Sequence, residues 1–295
     1  MGKIKNYLSL IKFAHTIFAM PFALIGFFLG IFSVPHTVVF SPDELRYLVK
    51  LFILVILCMI FARSAAMAFN RWLDANYDKK NPRTSAREIP SGIIKPNNAL
   101  WFVVLSCIAF IVCCWFINLL CFYLSFVALF IILFYSYTKR FTALCHLVLG
   151  VGLSLAPIGA YLAVTGSFNF LPILFSLTVL CWVSGFDIIY ALQDEEFDKT
   201  QQLHSVPAAI GKKNALRVSE LLHSLSAACV VYAGLFGHFG MYYWTGVAVF
   251  ISLLIYQHLL VKPNNLSKVN MAFFTTNGIA SVVFAAFVLL DLFLK

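Results

Sequence analysis

The chain of 295 residues is 62% hydrophobic, and only 11% of its residues are charged. A water-soluble domain carries about 25% charged residues, so this composition excludes a soluble globular protein and indicates an integral membrane protein. The formal net charge of +9 does not imply a nucleic-acid partner, because the sequence contains no recognition motif for one.

Nine apolar segments, each about 20 residues long, follow one another along the chain. They cover residues 12–33, 49–69, 98–118, 120–137, 143–165, 168–186, 215–236, 241–261 and 272–293. The first segment follows basic residues, as a signal peptide would, but it lacks a clear cleavage site and is assigned as a helix. A membrane barrel would show shorter, alternating strands. The sequence predicts an all-α membrane protein, a single domain over 1–295 with about nine transmembrane helices.

Most basic residues fall on one side of the predicted membrane. If the nine spans alternate, the N-terminus shares a side with the loops 70–97, 138–142, 187–214 and 262–271. This side and its helix edges hold all of the 21 Lys and Arg residues except Arg46, Lys50, Arg63 and Lys295. The positive-inside rule makes that side cytoplasmic. We therefore expect a multi-pass protein of the bacterial inner membrane whose site faces the cytoplasm.

A first acidic cluster ends the second span. In "FARSAAMAFNRWLDANYD", Arg63, Asn70 and Asp74 stand at i, i+7 and i+11, which places them along one face of a helix. Asp78 follows one turn later. A polar stripe is therefore predicted to run from the cytoplasmic surface into the membrane.

A second acidic cluster ends the sixth span in the same way. In "DIIYALQDEEFD", Asp187, Tyr190, Asp194 and Asp198 share one helical face. Ionisable groups at this depth are costly and normally face a cavity or a partner. Two similar stripes on the same side of the membrane favour a functional site over solvated helix ends.

Solvated helix ends remain the preferred interpretation for three other acids, Glu195, Glu196 and Glu220. Oxygen ligands without nearby cysteines select a hard cation, Mg²⁺ in particular, which completes its shell with substrate phosphates. Facing aspartate pairs could hold Mg²⁺ around a diphosphate, and nearby bases suit the same ligand. These bases are Arg71, Lys79, Arg83, Arg87, Lys139 and Arg140. A polyprenyl diphosphate, with its apolar tail in the bilayer, fits this description.

The two stripes resemble the paired signatures of the UbiA-type intramembrane prenyltransferases. "NRWLDANYD" is similar to their N-R/D-x-x-D-x-x-x-D motif, and "DIIYALQDEEFD" is similar to D-x-x-Y-x-x-x-D-x-x-x-D. Three further blocks agree in order: "NPRTSAREIPSG", "YSYTKRFT" and "NMAFFTTNG". The resemblance runs from about Lys12 to the end of the chain. It implies a nine-helix bundle around a central cavity that opens sideways to lipid.

The resemblance also implies roles for individual residues. The Mg²⁺-diphosphate ligands would be Asn70, Asp74, Asp78, Asp194 and Asp198, and Asp187 and Tyr190 would line the site. Arg140 resembles a residue expected near the carboxylate of an aromatic acceptor. Arg71 is the other candidate for that carboxylate or for the diphosphate. Lys139 and Arg140 can alternatively be read as a plain positive-inside pair.

The implied reaction transfers a polyprenyl group to a small aromatic acid for ubiquinone or menaquinone biosynthesis. A 4-hydroxybenzoate-type acceptor is expected, and a dihydroxynaphthoate is the alternative. One departure from the family pattern is visible in "DKTQQLHSVP", where Gln202 stands in place of an expected glycine. The resemblance gives no prenyl chain length.

Two other classes of protein are weighed against a prenyltransferase. A cation-coupled transporter would place its acids near the bilayer midplane, whereas these acids lie at the cytoplasmic ends of the spans. A Mg²⁺-dependent lipid head-group transferase would be expected to carry a D-G-x-x-A-R-type motif, which this sequence lacks.

Several residues within the spans are interpreted as structural. The eight cysteines lie mostly in apolar segments without a CxxC pair, which predicts packing and neither a disulfide framework nor zinc. His15 is interpreted as a packed residue, with a pocket-lining role as the alternative. Asn277 would be an uncompensated amide if it faced lipid, so it is expected to point inward.

Overall fold

The computed structural model describes residues 3–11, 18–33 and 41–294 of the chain. Twelve α-helices occur in these ranges. They are α1 (Lys3–Leu10), α2 (Met20–Ser33), α3 (Pro42–Leu73), α4 (Ala75–Lys80), α5 (Pro96–Ile117), α6 (Leu119–Thr138), α7 (Cys145–Thr165), α8 (Phe170–Ala191), α9 (Glu195–Thr200), α10 (Val206–Phe236), α11 (Met241–Leu260) and α12 (Asn277–Leu294). The start of the first predicted span, with His15, lies outside the described residues.

The predicted all-α membrane fold is confirmed. Among the described residues, eight helical stretches are long and apolar enough to cross a membrane, and α2 is a shorter apolar helix. The remaining helices, α1, α4 and α9, are short. The protein is therefore a multi-pass integral membrane protein, and α2 corresponds to the described part of the first predicted span.

Two spans begin earlier than their hydropathy predicts because capped polar turns precede them. Helix α3 begins at Pro42, after a capping box in which the Ser41 hydroxyl accepts from the backbone N–H of Glu44 at 3.2 Å. Helix α10 begins at Val206, and the Ser205 hydroxyl accepts from the backbone N–H of Ala208 at 3.3 Å. Gly211, with φ 76° and ψ 162°, breaks α10 between this capped beginning and its long apolar part. In α3 the capped polar turn therefore extends the membrane helix, whereas in α10 it forms a separate first segment.

Buried aromatic rings fill the core between α2, α8, α11 and α12. The ring of Phe22 lies 5.4 Å from that of Trp182, and Phe250 lies 5.2 Å from Phe284. These four side chains and Phe175 are buried. The phenylalanine-rich composition therefore serves helix packing at the centre of the bundle as well as the lipid-facing surface.

Small residues bring neighbouring helices into backbone contact. A Cβ atom built on Gly26 of α2 would lie 1.9 Å from the carbonyl oxygen of Pro157 in α7. A Cβ on Gly150 of α7 would lie 2.2 Å from the Ser184 hydroxyl of α8. Glycine is thus required at both crossings, as in other membrane helix pairs. These contacts fix α7 between α2 and α8, next to the candidate site.

Asn277 points inward as predicted, and its amide ties three elements together. Its side-chain oxygen accepts from Trp182 Nε1 and from Gln257 Nε2, both at 2.8 Å. Its amide nitrogen donates to the carbonyl oxygens of Ala272 and Phe273, within a turn of π-helix that precedes α12. Because these protein contacts occupy both ends of the fully buried amide, Asn277 acts in packing.

Candidate active site

The two aspartate motifs contain matching helix breaks. Helix α3 ends at Leu73, and Asp74 has φ −90° and ψ 4° before α4 begins. Helix α8 ends at Ala191, and after a short 3₁₀ turn Asp194 has φ −103° and ψ 3° before α9 begins. This backbone region is sparsely populated and frequent at active sites. Each motif spans the end of a long helix, a break at Asp74 or Asp194, and a six-residue helix that carries Asp78 or Asp198.

The breaks interrupt both predicted stripes, because Asp78 and Asp198 sit on the short helices that follow Asp74 and Asp194. All four aspartates nevertheless line one cavity. The two motifs are related as local copies, in agreement with the similarity of their sequences.

Four carboxylates are each paired with a different base. The Asp74 carboxylate lies 2.9 Å from Arg140 Nη2, and that of Asp78 lies 2.6 Å from Arg87 Nη1. The Asp198 carboxylate lies 2.7 Å from Lys139 Nζ. Asp194 forms a two-point ion pair with Arg83, whose Nε donates to Oδ1 at 3.0 Å.

Two loops between helices supply these bases, and each loop holds one aspartate from each motif. Arg83 and Arg87 belong to the loop after α4, and they hold Asp194 and Asp78 respectively. Lys139 and Arg140 directly follow α6, and they hold Asp198 and Asp74. The arrangement is thus a four-point clamp that ties α3–α4 to α8–α9.

Further polar groups reinforce the clamp. Asn81 donates its amide to Asp194 Oδ1 at 3.2 Å, and the Asn70 amide donates to Asp74 Oδ2 at 3.1 Å. The Ser205 hydroxyl, which caps α10, donates to Asp198 Oδ2 at 2.8 Å. The start of α10 is therefore coupled to the second motif.

Asp187 and Tyr190 occupy the wall of the site nearer the membrane. His146 Nδ1 lies 2.7 Å from Asp187 Oδ2, and the backbone N–H of Val206 donates to His146 Nε2 at 3.3 Å. Since Nε2 accepts, Nδ1 carries the proton and donates it to the carboxylate. The Tyr190 hydroxyl accepts from Arg83 Nη1 at 2.8 Å. Both residues are thus held in fixed orientations.

Burial and ion pairing shift the pKa values of the site residues in opposite directions. Burial raises the pKa of the Asp74 carboxyl, and the Arg140 guanidinium partly offsets that shift. Burial alone would lower the pKa of Lys139, but the adjacent Asp198 carboxylate raises it above its ordinary value. The Arg83 pKa is likewise raised, because Asp194 and Tyr190 outweigh burial. Lys139 and Arg83 therefore stay protonated, whereas burial disfavours the charged form of Asp74.

All predicted site residues line one cavity of about 820 Å³. They are Asn70, Arg71, Asp74, Asp78, Arg83, Lys139, Arg140, Asp187, Tyr190, Asp194 and Asp198. Arg87 also lines it, whereas Lys79 is exposed on α4 and lies outside the lining. Six acidic and six basic side chains surround the space, so its walls carry almost no net charge when His146 is neutral.

An apolar cavity of about 320 Å³ adjoins the charged one. It lies between α3, α5, α6 and α7, and its walls are mostly aliphatic side chains and cysteines. Five residues belong to the lining of both spaces: Arg63, Met67, Tyr135, Leu149 and Leu153. The two cavities therefore meet at a junction, which we define by these five residues.

The donor set suits a hard divalent cation, although it is not arranged as a finished metal site. Within the described residues, no three His, Cys, Asp or Glu side chains are grouped closely enough to hold a metal ion. The clamp carboxylates are instead turned toward their bases. Asp78 Oδ2 is nevertheless buried without a hydrogen bond, so it keeps a free coordination position. Oxygen-only donors of this kind fit Mg²⁺ once the carboxylates turn inward.

His146, Asn81 and Ser205 also belong to the site, although no sequence motif predicted them. His146 lies in the first turn of the apolar helix α7, far from Asp187 in the sequence. Its contact with Asp187 forms only because α7 packs against α8. One acidic residue was misread: Glu195 was expected to be solvated, but it is buried and lies 2.6 Å from Lys199 Nζ. Glu196 and Glu220 are exposed, as expected.

The backbone conformation at Gln202 explains why the family pattern has a glycine at this position. Its φ is +54°, in the left-handed region where glycine is favoured. The following backbone N–H, of Leu203, donates to the carbonyl oxygen of Asp198 at 2.8 Å and closes the turn after α9. A glycine here would relieve strain, and Gln202 tolerates it on an exposed turn.

Comparison with known proteins adds independent observations. The model of the UbiA prenyltransferase family matches residues 18–279. A 4-hydroxybenzoate octaprenyltransferase of Francisella tularensis subsp. novicida (strain U112) is 30% identical over 230 residues, which cover 77% of this chain and 79% of the relative.

Solved structures share the fold. The apo structure of a UbiA homolog from Aeropyrum pernix K1 has a TM-score of 0.81 at 27% identity, covering 94% of this chain and 98% of the other. A UbiA homolog from Archaeoglobus fulgidus bound to DMAPP and Mg²⁺ has a TM-score of 0.72 at 20% identity, covering 98% and 100%. At that identity the second likeness concerns the fold alone.

Proposed function

The chain belongs to the UbiA prenyltransferase family, and we propose that it transfers a polyprenyl group from a polyprenyl diphosphate to a small aromatic acid, with Mg²⁺, for quinone biosynthesis. One observation carries the proposal. A charged cavity with a four-point acid–base clamp opens directly into an apolar cavity of about 320 Å³. A diphosphate head and a prenyl tail need these two environments side by side.

Charge balance supports the need for a divalent cation. The clamp bases already neutralise the carboxylates, so a diphosphate alone would bring uncompensated negative charge into a cavity with balanced walls. If the carboxylates coordinate metal instead, Arg140, Arg87, Arg83 and Lys139 are freed for the phosphate oxygens. Arg71 adds a further cation, because its Nε and Nη1 are buried without hydrogen bonds.

The reaction follows from the positions of the chain's own groups. The allylic C–O bond breaks, and its electron pair leaves with the diphosphate, which the freed bases and Arg71 bind. Bound Mg²⁺ would supply additional positive charge for that leaving group. A ring carbon ortho to the phenolic hydroxyl forms the new C–C bond. The ring proton passes to Asp187, which His146 orients, or to the departing diphosphate.

The site's place in the membrane also belongs to the proposal. The clamp is built from the loops that the charge distribution assigns to the cytoplasm. We infer that the charged cavity faces the cytoplasm of a bacterial inner membrane, where water-soluble acceptors are available. The apolar cavity excludes water from the allylic cation.

The name of the Francisella relative favours 4-hydroxybenzoate as the acceptor. A dihydroxynaphthoate carries the same phenolic ring and carboxylate and is the alternative. The test is product formation by the purified protein with one polyprenyl diphosphate and each acid in parallel, read by mass spectrometry. A prenylated acid that forms with Mg²⁺ and is lost with EDTA supports the proposal. No product from either acid, with the protein folded, would reject these acceptors.

A further inference from the structure

Helix α7 contains glycines of two kinds. An added Cβ at Gly150 would lie 2.2 Å from the Ser184 hydroxyl, so the close packing of α8 explains that glycine. At Gly159 an added Cβ would meet no atom of a neighbouring element within 4 Å, and at Gly152 it would meet only Ile132 Cγ2 at 3.6 Å. Gly152 and Gly159 both line the apolar cavity of about 320 Å³. The described residues therefore leave the space in front of both glycines unfilled.

Unfilled apolar space beside a helical glycine is unfavourable unless a ligand occupies it. Glycine weakens a helix relative to alanine, because its backbone loses more freedom on folding. A void also lacks the contacts that its walls would otherwise make. Close packing against α8 offsets these costs at Gly150, but no such contact is found at Gly159 among the described residues. We therefore expect a ligand in this space, and the aliphatic walls select an apolar chain.

The two glycines lie at successive depths of the apolar cavity. They are seven residues apart on one face of α7, so Gly159 lies about 10 Å farther from the charged cavity than Gly152. Gly152 stands between Leu149 and Leu153 in the sequence and therefore lies at the level of the junction. A prenyl tail whose diphosphate is held by the clamp enters at the junction, reaches Gly152 first and reaches Gly159 two helical turns later.

Exposed residues line the cavity at about the depth of Gly159 and beyond it. Val127 of α6 is 54% exposed, and Phe168, which follows the far end of α7, is 59% exposed. Along α6, Val127 lies eight residues from the junction residue Tyr135, or about 12 Å. Along α7, Gly159 lies six residues from Leu153, or about 9 Å. A short tail therefore ends before this depth, whereas a longer one continues past Gly159 toward the exposed residues.

We propose that Gly159 sets the length of prenyl tail that the protein accepts, because the absence of a side chain there keeps the cavity passable. The inference rests on the proposed function for the placement of a prenyl tail in the apolar cavity. It assigns donor selectivity to one position of α7 that lies outside both aspartate motifs. Only donors long enough to pass Gly159 depend on it.

The test compares geranyl and geranylgeranyl diphosphate as donors, with Mg²⁺ and the accepted aromatic acid. In Gly159→Leu the ratio of kcat/KM for the shorter donor to that for the longer one should rise roughly 10- to 100-fold above the parent's ratio, because the longer tail must then overpack the cavity. Gly159→Ala adds a single methyl group and should raise the ratio less. Gly152→Leu places its side chain two turns nearer the diphosphate, so it should also reduce the use of geranyl diphosphate relative to dimethylallyl diphosphate.

Two controls separate a role in tail length from a role in helix packing. Ile108→Phe adds bulk at an exposed position of α5 outside the cavity lining and should leave the donor ratio unchanged. Without donor, Gly159→Leu should unfold at or above the parent's temperature, because leucine favours the helix and fills empty apolar space. An unchanged ratio in folded Gly159→Leu, or an equal loss with both donors, would overturn the proposal. Failure of Gly159→Leu to fold would contradict the open space on which it rests.

Failure of the proposed function is recognised separately. If the parent forms no product with any donor, equilibrium binding of the two radiolabelled diphosphates in the presence of Mg²⁺ replaces turnover as the readout. A selective loss of geranylgeranyl diphosphate binding in Gly159→Leu supports the tail-length role even without prenyl transfer. Unchanged binding of both diphosphates in Gly159→Leu, an equal loss of both, or no binding by the parent contradicts it.

Discussion

Replacing Lys139 tests how much its ion pair with the buried Asp198 carboxylate contributes to the stability of the protein. The Asp198 carboxylate is fully buried, and Lys139 Nζ lies 2.7 Å from it. In Lys139→Met the carboxylate keeps only the Ser205 hydroxyl at 2.8 Å, without a cation. We expect the variant to insert and fold but to lose stability, because a buried charge is then left unpaired.

The structure bounds the size of this loss. It cannot exceed the free energy of protonating an aspartate at pH 7, about 4 kcal/mol, since the carboxylate can always take a proton. It should exceed the value of a surface ion pair, about 1 kcal/mol, because Asp198 has no solvent contact. The Lys139 side chain is 33% exposed, which places the loss within these limits rather than at the upper one.

Thermal unfolding in detergent, with Mg²⁺ or with EDTA, measures the effect. Lys199→Met is the matched control, because Lys199 pairs with Glu195 but its side chain is 53% exposed. Its loss should be below about 1 kcal/mol. Lys139→Met/Asp198→Asn should recover stability, and Mg²⁺ should recover part of it in Lys139→Met alone. A Lys139→Met protein that unfolds with the parent, with or without Mg²⁺, would refute the reasoning.

Three further substitutions test the surroundings of the site. Gln202→Gly should leave stability unchanged or raise it by up to about 1 kcal/mol in thermal unfolding, since φ is +54°. Gly26→Ala should reduce the yield of folded protein in size-exclusion chromatography, because its Cβ would lie 1.9 Å from the Pro157 carbonyl oxygen. Asn277→Leu should cost about 2–4 kcal/mol in thermal stability, because two buried donors lose their acceptor.

Each of these has a matched comparison. Gly159→Ala lies on α7, where a new Cβ meets nothing within 4 Å, so normal folding is expected. Equal losses for Gly26→Ala and Gly159→Ala would contradict the packing argument. A clear destabilisation by Gln202→Gly would contradict the argument from backbone strain. An Asn277→Leu protein as stable as the parent would contradict the argument from buried hydrogen bonds.

Much of the candidate site was predictable because its pattern is local. Asn70 and Asp74 stand four residues apart at the end of α3, and the second motif repeats that spacing from Tyr190 to Asp194 at the end of α8. The helix breaks were not predictable, because residues such as Ala75 and Leu192 have good helix propensity and give no stop signal. Backbone geometry at a functional aspartate overrides local preference here.

The pairing of acids and bases depends on tertiary packing. The sequence predicted that Lys139 and Arg140 lie near the site. It did not predict that these adjacent residues pair with aspartates of different motifs, because that depends on how α6 packs against the other helices. The position of Arg63 on the polar stripe could be predicted, whereas the burial of its Nε without a hydrogen bond depends on how the helices pack around α3. The identity of the acceptor is encoded in neither the pattern nor the fold class.

The most direct test of the two-sided site is prenyl transfer by Asp74→Asn and Asp194→Asn, one variant from each motif. Purified protein, Mg²⁺, a polyprenyl diphosphate and the accepted aromatic acid are used, with product measured by mass spectrometry. The account predicts at least about 100-fold loss in both variants. Asp43→Asn, at an exposed aspartate of α3, should stay at the parent's rate. Near-normal turnover in either folded site variant would contradict a shared diphosphate site.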